Sequence, residues 1–236
     1  MKTLRSALLW VIGSAFFALT FVILSTGLFL LSRERVFTLA RFLFSVQTKI
    51  MGIRLTVSGL AGLDRTRTYL IMGNHQSLFD LFVIPAAIPL TYVAVEAAYH
   101  FSIPLWGNLV TRYGCIPIYR NNLEKAKQSL EIARQRLREG TSIIILPEGH
   151  RTRTGEMGEF KKGPFHLACQ AGADILPFAI SGLFDYHPKG TFHLNPKPVR
   201  VTIGSAIPYA TNAEMTPEQL RDHVRHVIAD LAGGRF

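Results

Sequence analysis

The residues whose types and spacing best suit acid–base chemistry are a histidine and an aspartate five positions apart, His75 and Asp80. On one continuous helix they would point about 140° apart and could not meet. They can meet if His75 lies in a turn and Asp80 in the first turn of the next helix, where the carboxylate reaches back over the helix N-terminus. Such an aspartate accepts one imidazole N–H and leaves the other ring nitrogen free to deprotonate an alcohol.

The same segment has a purely structural interpretation. Ser77 is a good helix cap, and Asp80 stands three residues later, where it can complete a capping box. A histidine at the end of a strand is often only a structural residue. Taken alone, the spacing therefore leaves both interpretations open.

Three further polar segments follow apolar runs or precede a helix. Arg120 comes directly after residues 115–119, and Arg151 lies in the polar run after Leu146. An arginine at a strand exit can bind phosphate with both arms of its guanidinium, although as a lone residue it is more often a surface charge. Lys161 and Lys162 precede a predicted helix N-terminus, which is itself an anion site; we interpret Lys161 as solvated.

The elements that must position these residues alternate between strand-like and helix-like patterns. The pattern predicts helices over residues 123–139, about 164–172 and about 217–231, with a helix beginning near Ser77. Short apolar or alternating runs predict seven strands, at residues 53–57, 69–72, 90–95, 115–119, 142–146, 175–180 and 199–203. We therefore predict one α/β domain with a largely parallel or mixed sheet flanked by helices.

The N-terminus predicts a membrane anchor at residues 1–51, followed by a catalytic domain at 52–236. Residues 7–31 run for 25 positions without a charge, long enough to cross a hydrocarbon core of about 30 Å. A cleavable signal peptide is the alternative, but the apolar run is too long and has no A-x-A-like site, so we expect it to be retained. Basic residues flank both of its ends, which also permits a hairpin or shallow insertion. Residues 36–51 predict either an interfacial helix or one packed on the core.

Composition restricts the partners and the chemistry. Lys and Arg outnumber Asp and Glu by 26 to 16, giving a formal charge of +10, so anionic partners are expected. The basic residues are spread among apolar blocks, and we expect no nucleic-acid binding. Signatures of serine hydrolases, zinc proteases, P-loop proteins and paired C-x-x-C sites are absent from the sequence. The two cysteines fit a reducing, cytoplasmic setting.

Four blocks in order carry a family resemblance. They are Asn-His-Gln-Ser-x-x-Asp at 74–80, Gly-x-Ile-Pro-Ile-x-Arg at 114–120, Leu-Pro-Glu-Gly-x-Arg at 146–151 and Ile-Leu-Pro-Phe-Ala-Ile at 175–180. Over residues 50–210 the chain resembles the glycerolipid acyltransferases, and most closely the PlsC-type 1-acyl-sn-glycerol-3-phosphate acyltransferases. The resemblance implies transfer of an acyl group from acyl-CoA or acyl carrier protein to the free sn-2 hydroxyl of lysophosphatidate. The product would be phosphatidate for phospholipid biosynthesis.

The resemblance also implies roles for individual residues. His75 would be the general base and Asp80 its orienting partner, and the last block around Pro177 would shape the sheet and the acyl cleft. The block residues and the neighbouring lysine expected to contact substrate are Asn74, Ser77, Arg120, Glu148, Gly149, Arg151 and Lys162. One position departs from the family pattern, because His150 stands where the third block usually has Thr or Ser. That departure leaves open a different head group.

The expected mechanism is direct transfer without an acyl-enzyme, a cofactor or a metal, with backbone N–H groups near Ser77 as oxyanion donors. The expected location is the cytoplasmic face of a bacterial inner membrane, with membrane phospholipid as a partner. Two alternatives stay open. A sibling enzyme could use glycerol-3-phosphate, lyso-ornithine lipid or another lysolipid, and a non-enzymatic chain could be a basic membrane-surface binding protein.

Overall fold

The computed structural model describes residues 1–233 and has a seven-stranded sheet at its centre. The strands are β1 (Arg54–Ser58), β2 (Leu70–Gly73), β3 (Tyr92–Ala97), β4 (Ile116–Ile118), β5 (Ser142–Ile145), β6 (Ile175–Ser181) and β7 (Pro198–Ile203). They lie in the order β1-β7-β6-β2-β5-β3-β4, and every neighbouring pair is parallel except β6 with β7. The predicted largely parallel, mixed sheet is confirmed, and each strand lies within three residues of its predicted place.

The helices are α1 (Lys2–Leu30), α2 (Arg33–Ile50), α3 (Asp80–Ala87), α4 (Trp106–Tyr113), α5 (Leu123–Arg138), α6 (Gly163–Ala171), α7 (Leu183–Tyr186), α8 (Tyr209–Asn212) and α9 (Pro217–Leu231), with a 3₁₀ turn at Ala98–Ser102. The predicted α5, α6 and α9 begin and end where their caps indicate. Asn122 accepts a hydrogen bond from the Lys125 N–H, and Thr216 forms a capping box with Gln219. The sequence did not predict α4, α7 or α8, which are short.

Helices cover both faces of the sheet. Side chains alternate along a strand, so Leu70 and Met72 of β2 face α5, α6 and α9, whereas Ile71 faces α2 and α3. Because both faces of the sheet are buried, the central strands are continuous apolar runs in the sequence. The carboxyl ends of β2, β3, β4, β5 and β6 all lie at one edge, because these strands are parallel.

The first two helices form an antiparallel hairpin. Gly27 of α1 lies against Val36 of α2, and further back the Gly13 carbonyl accepts a hydrogen bond from Gln47 Nε2 at 3.1 Å. The side of α1 that faces inward carries small residues at seven-residue spacing, namely Ser6, Gly13, Thr20 and Gly27, all buried. Small side chains let the two backbones approach closely. The opposite side of α1 is exposed and apolar, with Leu4, Leu8, Val11, Ile12, Leu19, Val22, Phe29 and Leu30.

By length and composition, α1 is the one helix in the described part of the chain that could cross a membrane. Its mean hydropathy reaches 2.4 over the best window, and only 17% of that window is buried. Helix α2 differs, because Val36, Phe37 and Phe44 are buried with α3 in one hydrophobic cluster. Of the two predictions for α2, the helix packed on the core is therefore correct. The division of the chain at residue 51 stays a prediction.

Candidate active site

The turn after β2 begins at a residue that must be glycine. A Cβ on Gly73 would lie 2.3 Å from Cζ of Phe178, so no side chain fits between β2 and β6. Asn74 then continues the pairing of the two strands with its side chain: Nδ2 donates to the Ile180 carbonyl at 2.9 Å, and Oδ1 accepts from the Ile180 N–H at 2.7 Å. Both ends of this buried amide are used by β6. Asn74 therefore shapes the turn, and its predicted contact with substrate has no support in this geometry.

His75 and Asp80 meet as the turn-then-helix hypothesis requires. His75 Nδ1 lies 2.5 Å from Asp80 Oδ2, and the same oxygen accepts the backbone N–H groups of Gln76 at 2.9 Å and Ser77 at 3.1 Å. Asp80 is buried at the first position of α3, where the helix N-terminus favours a carboxylate. The side chain of His75 is 23% exposed. Hydrogen bonds within the protein therefore fix the pair, and the imidazole of His75 stays partly exposed to solvent.

The prediction that α3 begins with a capping Ser77 is wrong. The helix begins at Asp80, and the Ser77 hydroxyl donates to the His187 carbonyl at 3.1 Å. Ser77 is buried and its hydroxyl meets that carbonyl, so the side chain turns away from its own helix; its predicted contact with substrate stays a prediction. The predicted oxyanion donors, N–H groups near Ser77, do not include those of Gln76 and Ser77, because both donate to Asp80. Within the described residues, the Leu78 N–H is the next one along without an acceptor.

The loop between β5 and α6, residues 146–162, closes over the backbone of His75. Glu148 Oε1 accepts the His75 N–H at 2.7 Å, and Oε2 accepts the Gly158 N–H at 2.8 Å. The Thr152 N–H donates to the His75 carbonyl at 2.9 Å. Glu148 is 1% exposed, and burial raises its pKa against the opposing effect of the two N–H donors. This carboxylate holds in place the turn of residues 74–79, called the catalytic turn below, and both of its oxygens accept N–H groups of the protein.

The predicted arginines lie at the same edge of the sheet as His75. Arg151 follows β5, the neighbour of β2, whereas Arg120 follows β4, three strands from β2 and so roughly 14 Å across the sheet. Arg120 is exposed and Arg151 half-buried, and neither has a carboxylate partner within residues 1–233. Their guanidiniums are therefore available to an anion.

The remaining predicted positions fall in different environments. Gly149 has a positive φ of 75° at the turn that follows β5, a conformation that favours glycine. The neighbouring His150 is exposed. Lys162 forms an ion pair with Glu218 of α9 at 3.0 Å, so its ammonium group points to α9. The substrate contacts predicted for Gly149 and Lys162 stay predictions.

Sequence reasoning missed two residues that support the turn. Gln76 Oε1 accepts the N–H groups of Leu183 at 3.0 Å and Phe184 at 3.2 Å, which ties α7 to the turn. The ring of His187 packs edge-on against Trp10 of α1, with centroids 5.7 Å apart, and against Phe79. Burial lowers the pKa of His187, and the charge of Arg151 lowers it further. Gln76 stands inside the first block, but nothing in the sequence singled out His187.

Comparison with known proteins agrees with this arrangement. The acyltransferase family model matches residues 54–181, more than half of the chain, including His75, Asp80, Arg120, Glu148 and Arg151. The chain belongs to the acyltransferase family. A 1-acyl-sn-glycerol-3-phosphate acyltransferase from Limnanthes douglasii is 32% identical over 179 residues, 75% of this chain and 62% of that protein. One from Cocos nucifera is 34% identical over 159 residues, 67% of this chain and 51% of that protein.

A bacterial relative and a solved structure extend the match to most of the chain. The 1-acyl-sn-glycerol-3-phosphate acyltransferase of Borreliella burgdorferi is 28% identical over 194 residues, 81% of this chain and 77% of that protein. The crystal structure of the lysophosphatidate acyltransferase PlsC from Thermotoga maritima superposes with a TM-score of 0.83 at 21% identity, covering 99% of this chain and 98% of that one. That likeness establishes the fold. The matched part of this chain spans only about half to three fifths of the plant relatives named above.

Proposed function

We propose that this chain is a 1-acylglycerol-3-phosphate O-acyltransferase, which moves a fatty acyl group from a thioester donor to the sn-2 hydroxyl of lysophosphatidate and makes phosphatidate for phospholipid biosynthesis. The observation that carries the proposal is the contact of 2.5 Å between His75 Nδ1 and Asp80 Oδ2 at the open edge of an acyltransferase-family sheet. The relatives named above are all called 1-acyl-sn-glycerol-3-phosphate acyltransferases, which supports the choice of acceptor.

The proposed chemistry starts from the tautomer that Asp80 imposes. Because Asp80 accepts the Nδ1 proton, Nε2 of His75 carries a lone pair. Nε2 takes the proton of the acceptor hydroxyl while the hydroxyl oxygen attacks the thioester carbonyl. The C–O bond forms, the C–S bond breaks, and the thiolate leaves and regains the proton from the imidazolium. A thiol with a pKa of about 8.5 is a good leaving group, so no acyl-enzyme and no dedicated acid are needed.

Two negative charges need partners in the protein: the oxygen of the tetrahedral intermediate and the phosphate of the acceptor. The oxygen of the tetrahedral intermediate is assigned to the Leu78 N–H, the next free donor at the turn. The acceptor phosphate is assigned to Arg151 and Arg120, because both are free guanidiniums at the same edge of the sheet. The donor is either acyl-CoA or acyl carrier protein.

The proposed location is a membrane surface on the cytoplasmic side. Support comes from the exposed apolar side of α1, which would otherwise face water over the whole helix. Lys2 and Arg5 flank one end of α1, and Arg33 flanks the other, where they can interact with lipid phosphates. A lysolipid acceptor dissolved in the same membrane would then reach His75 from the bilayer.

The decisive experiment supplies the purified protein in lipid vesicles with lysophosphatidate and a mixture of acyl-CoA and acyl carrier protein donors, and identifies the product by mass. Phosphatidate formed by the natural chain and lost in His75→Ala, with both chains equally folded, is the expected result. Product formation by His75→Ala at the natural rate would refute the proposed mechanism. Vesicle binding without any acyl transfer would favour the non-enzymatic alternative, a basic membrane-surface protein.

A second acceptor is favoured by one specific observation. His150 stands beside Arg151 and is exposed, at a position where a hydroxyl residue was expected. An imidazole there can contact a head group other than the simple phosphate of lysophosphatidate. The same assay with lyso-ornithine lipid, other lysolipids and glycerol-3-phosphate separates the candidates, because the correct acceptor gives the largest kcat/KM.

A further inference from the structure

A second concave surface lies far from the catalytic turn. It is a groove of about 310 Å³ between the C-terminal half of α1 and α4. Apolar side chains of Phe21, Leu28 and Phe29 line it on α1, Leu109 lines it on α4, and Arg112 stands among them. Trp10, the α1 residue in contact with the catalytic turn, precedes Ser25 of the groove by 15 positions, or roughly 22 Å along the helix. The groove is therefore separate from the site described above.

One rim of the groove is formed by a strained turn. Leu105 has φ 64° and ψ −52°, and the Trp106 N–H donates to the Pro104 carbonyl at 2.7 Å. This is a γ-turn of the rare, strained hand, and Leu105 is the one non-glycine residue with positive φ within residues 1–233. The turn holds the Leu105 side chain 68% exposed at the groove. Strain of this kind is found where a chain positions a side chain for a ligand.

The polar end of the groove has an excess of positive charge. The Arg112 guanidinium lies over the ring of Phe29 at 3.9 Å from its centroid. Two residues further on, guanidinium nitrogens of Arg33 and Arg136 converge on Gly114: they lie 3.1 and 3.0 Å from the point where a Cβ would be. None of the three arginines has a carboxylate partner in the described part of the chain. Arg33 and Arg136 lie close together at Gly114, and like charges at this spacing favour binding of an anion between them.

The groove opens beside the surface assigned to the membrane. Phe29 lines the groove and also belongs to the exposed apolar side of α1, with 66% of its surface exposed. A lipid chain in contact with that side of α1 can therefore enter the groove without crossing water. This step rests on the membrane association in the proposed function.

We propose that the α1–α4 groove is a binding site for one membrane phospholipid with an anionic head group, separate from the catalytic acceptor site. Its acyl chain lies along Phe21, Leu28 and Leu109, and its phosphate is held by Arg112 and Arg33. The apolar lining matches a hydrocarbon chain, and arginine binds phosphate with two parallel hydrogen bonds.

A tryptophan of the chain can report on lipid binding at the groove. The chain has two tryptophans, Trp10 beside the catalytic turn and Trp106 next to Leu105 at the groove. In the Trp10→Phe background, Trp106 alone fluoresces, and phospholipids with brominated acyl chains quench it on contact. The full-length protein in detergent micelles is titrated with brominated phosphatidylglycerol, which is anionic, or with brominated phosphatidylcholine, which is zwitterionic.

The expected result is half-maximal quenching at an about tenfold lower mole fraction of phosphatidylglycerol, the size expected of one charge-assisted contact. Arg112→Ala should remove that preference, whereas Arg35→Ala, a matched loss of an exposed arginine from the same end of the hairpin, should keep it. Unbrominated phosphatidylglycerol should relieve the quenching, and soluble sn-glycerol-3-phosphate should not. If Arg112→Ala does not fold, Arg33→Gln tests the head-group contact and Ser25→Phe, which fills the groove, tests the chain contact.

Equal quenching by the two lipids, or equal effects of Arg112→Ala and Arg35→Ala, would overturn the site. Relief of quenching by glycerol-3-phosphate would also overturn it, because the ligand would then be a soluble phosphate. These results do not depend on acyl transfer. Loss of transfer in His75→Ala with the lipid preference intact separates the two proposals, as does transfer by the natural chain with no lipid preference.

Discussion

The catalytic turn and the arginine-bearing segments lie at the same edge of the sheet but are built in opposite ways. At the turn, Asp80, Glu148 and Asn74 are all buried, and each side chain forms hydrogen bonds with backbone groups of the protein. Arg120 and Arg151 are more exposed and have no carboxylate partner among the described residues. The first region is fixed by contacts within the protein, whereas the second keeps its guanidiniums available to an anion.

The difference follows from what each region has to do. A general base contributes to rate only if it is held in the geometry of the transition state, and burial together with hydrogen bonds to the protein provides that rigidity. A group that captures an anion from a membrane must stay accessible and charged, which requires solvent. Substitutions in the turn should therefore lower kcat, whereas substitutions of the arginines should raise KM.

Asp80→Asn should have the largest effect and tests the rigid region most directly. Asp80 Oδ2 faces His75 Nδ1 and the Gln76 and Ser77 N–H groups together, so the asparagine oxygen should keep that place, and the substitution removes the negative charge that stabilises the imidazolium. We expect kcat to fall about 10²- to 10⁴-fold with little change in the KM for acceptor. Steady-state kinetics measure both constants. The control is Asp185→Asn, because Asp185 is an exposed aspartate. A KM effect alone would contradict the assigned role.

Glu148→Gln should have an intermediate effect. The glutamine has one acceptor oxygen for two N–H donors, so either His75 or Gly158 loses its partner, at a cost of about 1–3 kcal/mol. We expect kcat to fall about 10- to 100-fold, since His75 shifts, while the KM for acceptor stays within about twofold. Glu159→Gln, in the same loop but exposed, is the matched control. A raised KM with normal kcat would instead make Glu148 a substrate ligand.

Arg151→Ala and Arg120→Ala should have smaller effects, of the opposite kind. Loss of one guanidinium should raise the KM for lysophosphatidate about tenfold and leave kcat within about threefold, as for a lost charge-assisted contact. Arg153→Ala, an exposed arginine in the same loop, should behave as the natural chain. An unchanged KM in both variants would remove these arginines from the acceptor site.

The pH dependence of stability should show the smallest effect. Burial raises the pKa of Glu148 above its ordinary value of 4.5, so between 4.5 and the higher folded value the folded chain binds more protons than the unfolded chain. The free energy of unfolding should therefore fall as the pH rises through that window. Glu148→Gln should lack this component. Denaturant unfolding of both chains from about pH 4 to about pH 7 measures the difference, and parallel curves would contradict the raised pKa.

Much of the fold could be predicted, because helix caps and apolar runs in the sequence mark the elements that the structure contains. The Asn122 cap and the Thr216 capping box marked the starts of α5 and α9, and the glycine at position 172 marked the end of α6. The apolar runs marked all seven strands. The short helix α4 could not be predicted: it follows a strained turn at Leu105, and only packing against α1 and the 3₁₀ turn before it makes that conformation favourable.

The sequence predicted the pairing of His75 with Asp80, but it did not predict which neighbouring polar residues bind other parts of the protein. The spacing of His75 and Asp80 required a turn followed by a helix, and that geometry is confirmed. The prediction that Asn74, Ser77 and Glu148 contact substrate came from their place in shared blocks. Their actual partners are Ile180, His187 and Gly158, which are distant in sequence or lie in a loop without periodicity.

The sequence by itself determined the residue types, the order of elements and the spacing that allows Asp80 to orient the imidazole of His75. These depend on local geometry: 3.6 residues per helical turn, alternation along a strand, and caps a few positions away. Only the tertiary structure decided which buried polar groups serve the fold and which arginines stay free for an anion. That choice depends on partners brought together from opposite ends of the chain, such as Trp10 against His187, and no local pattern records them.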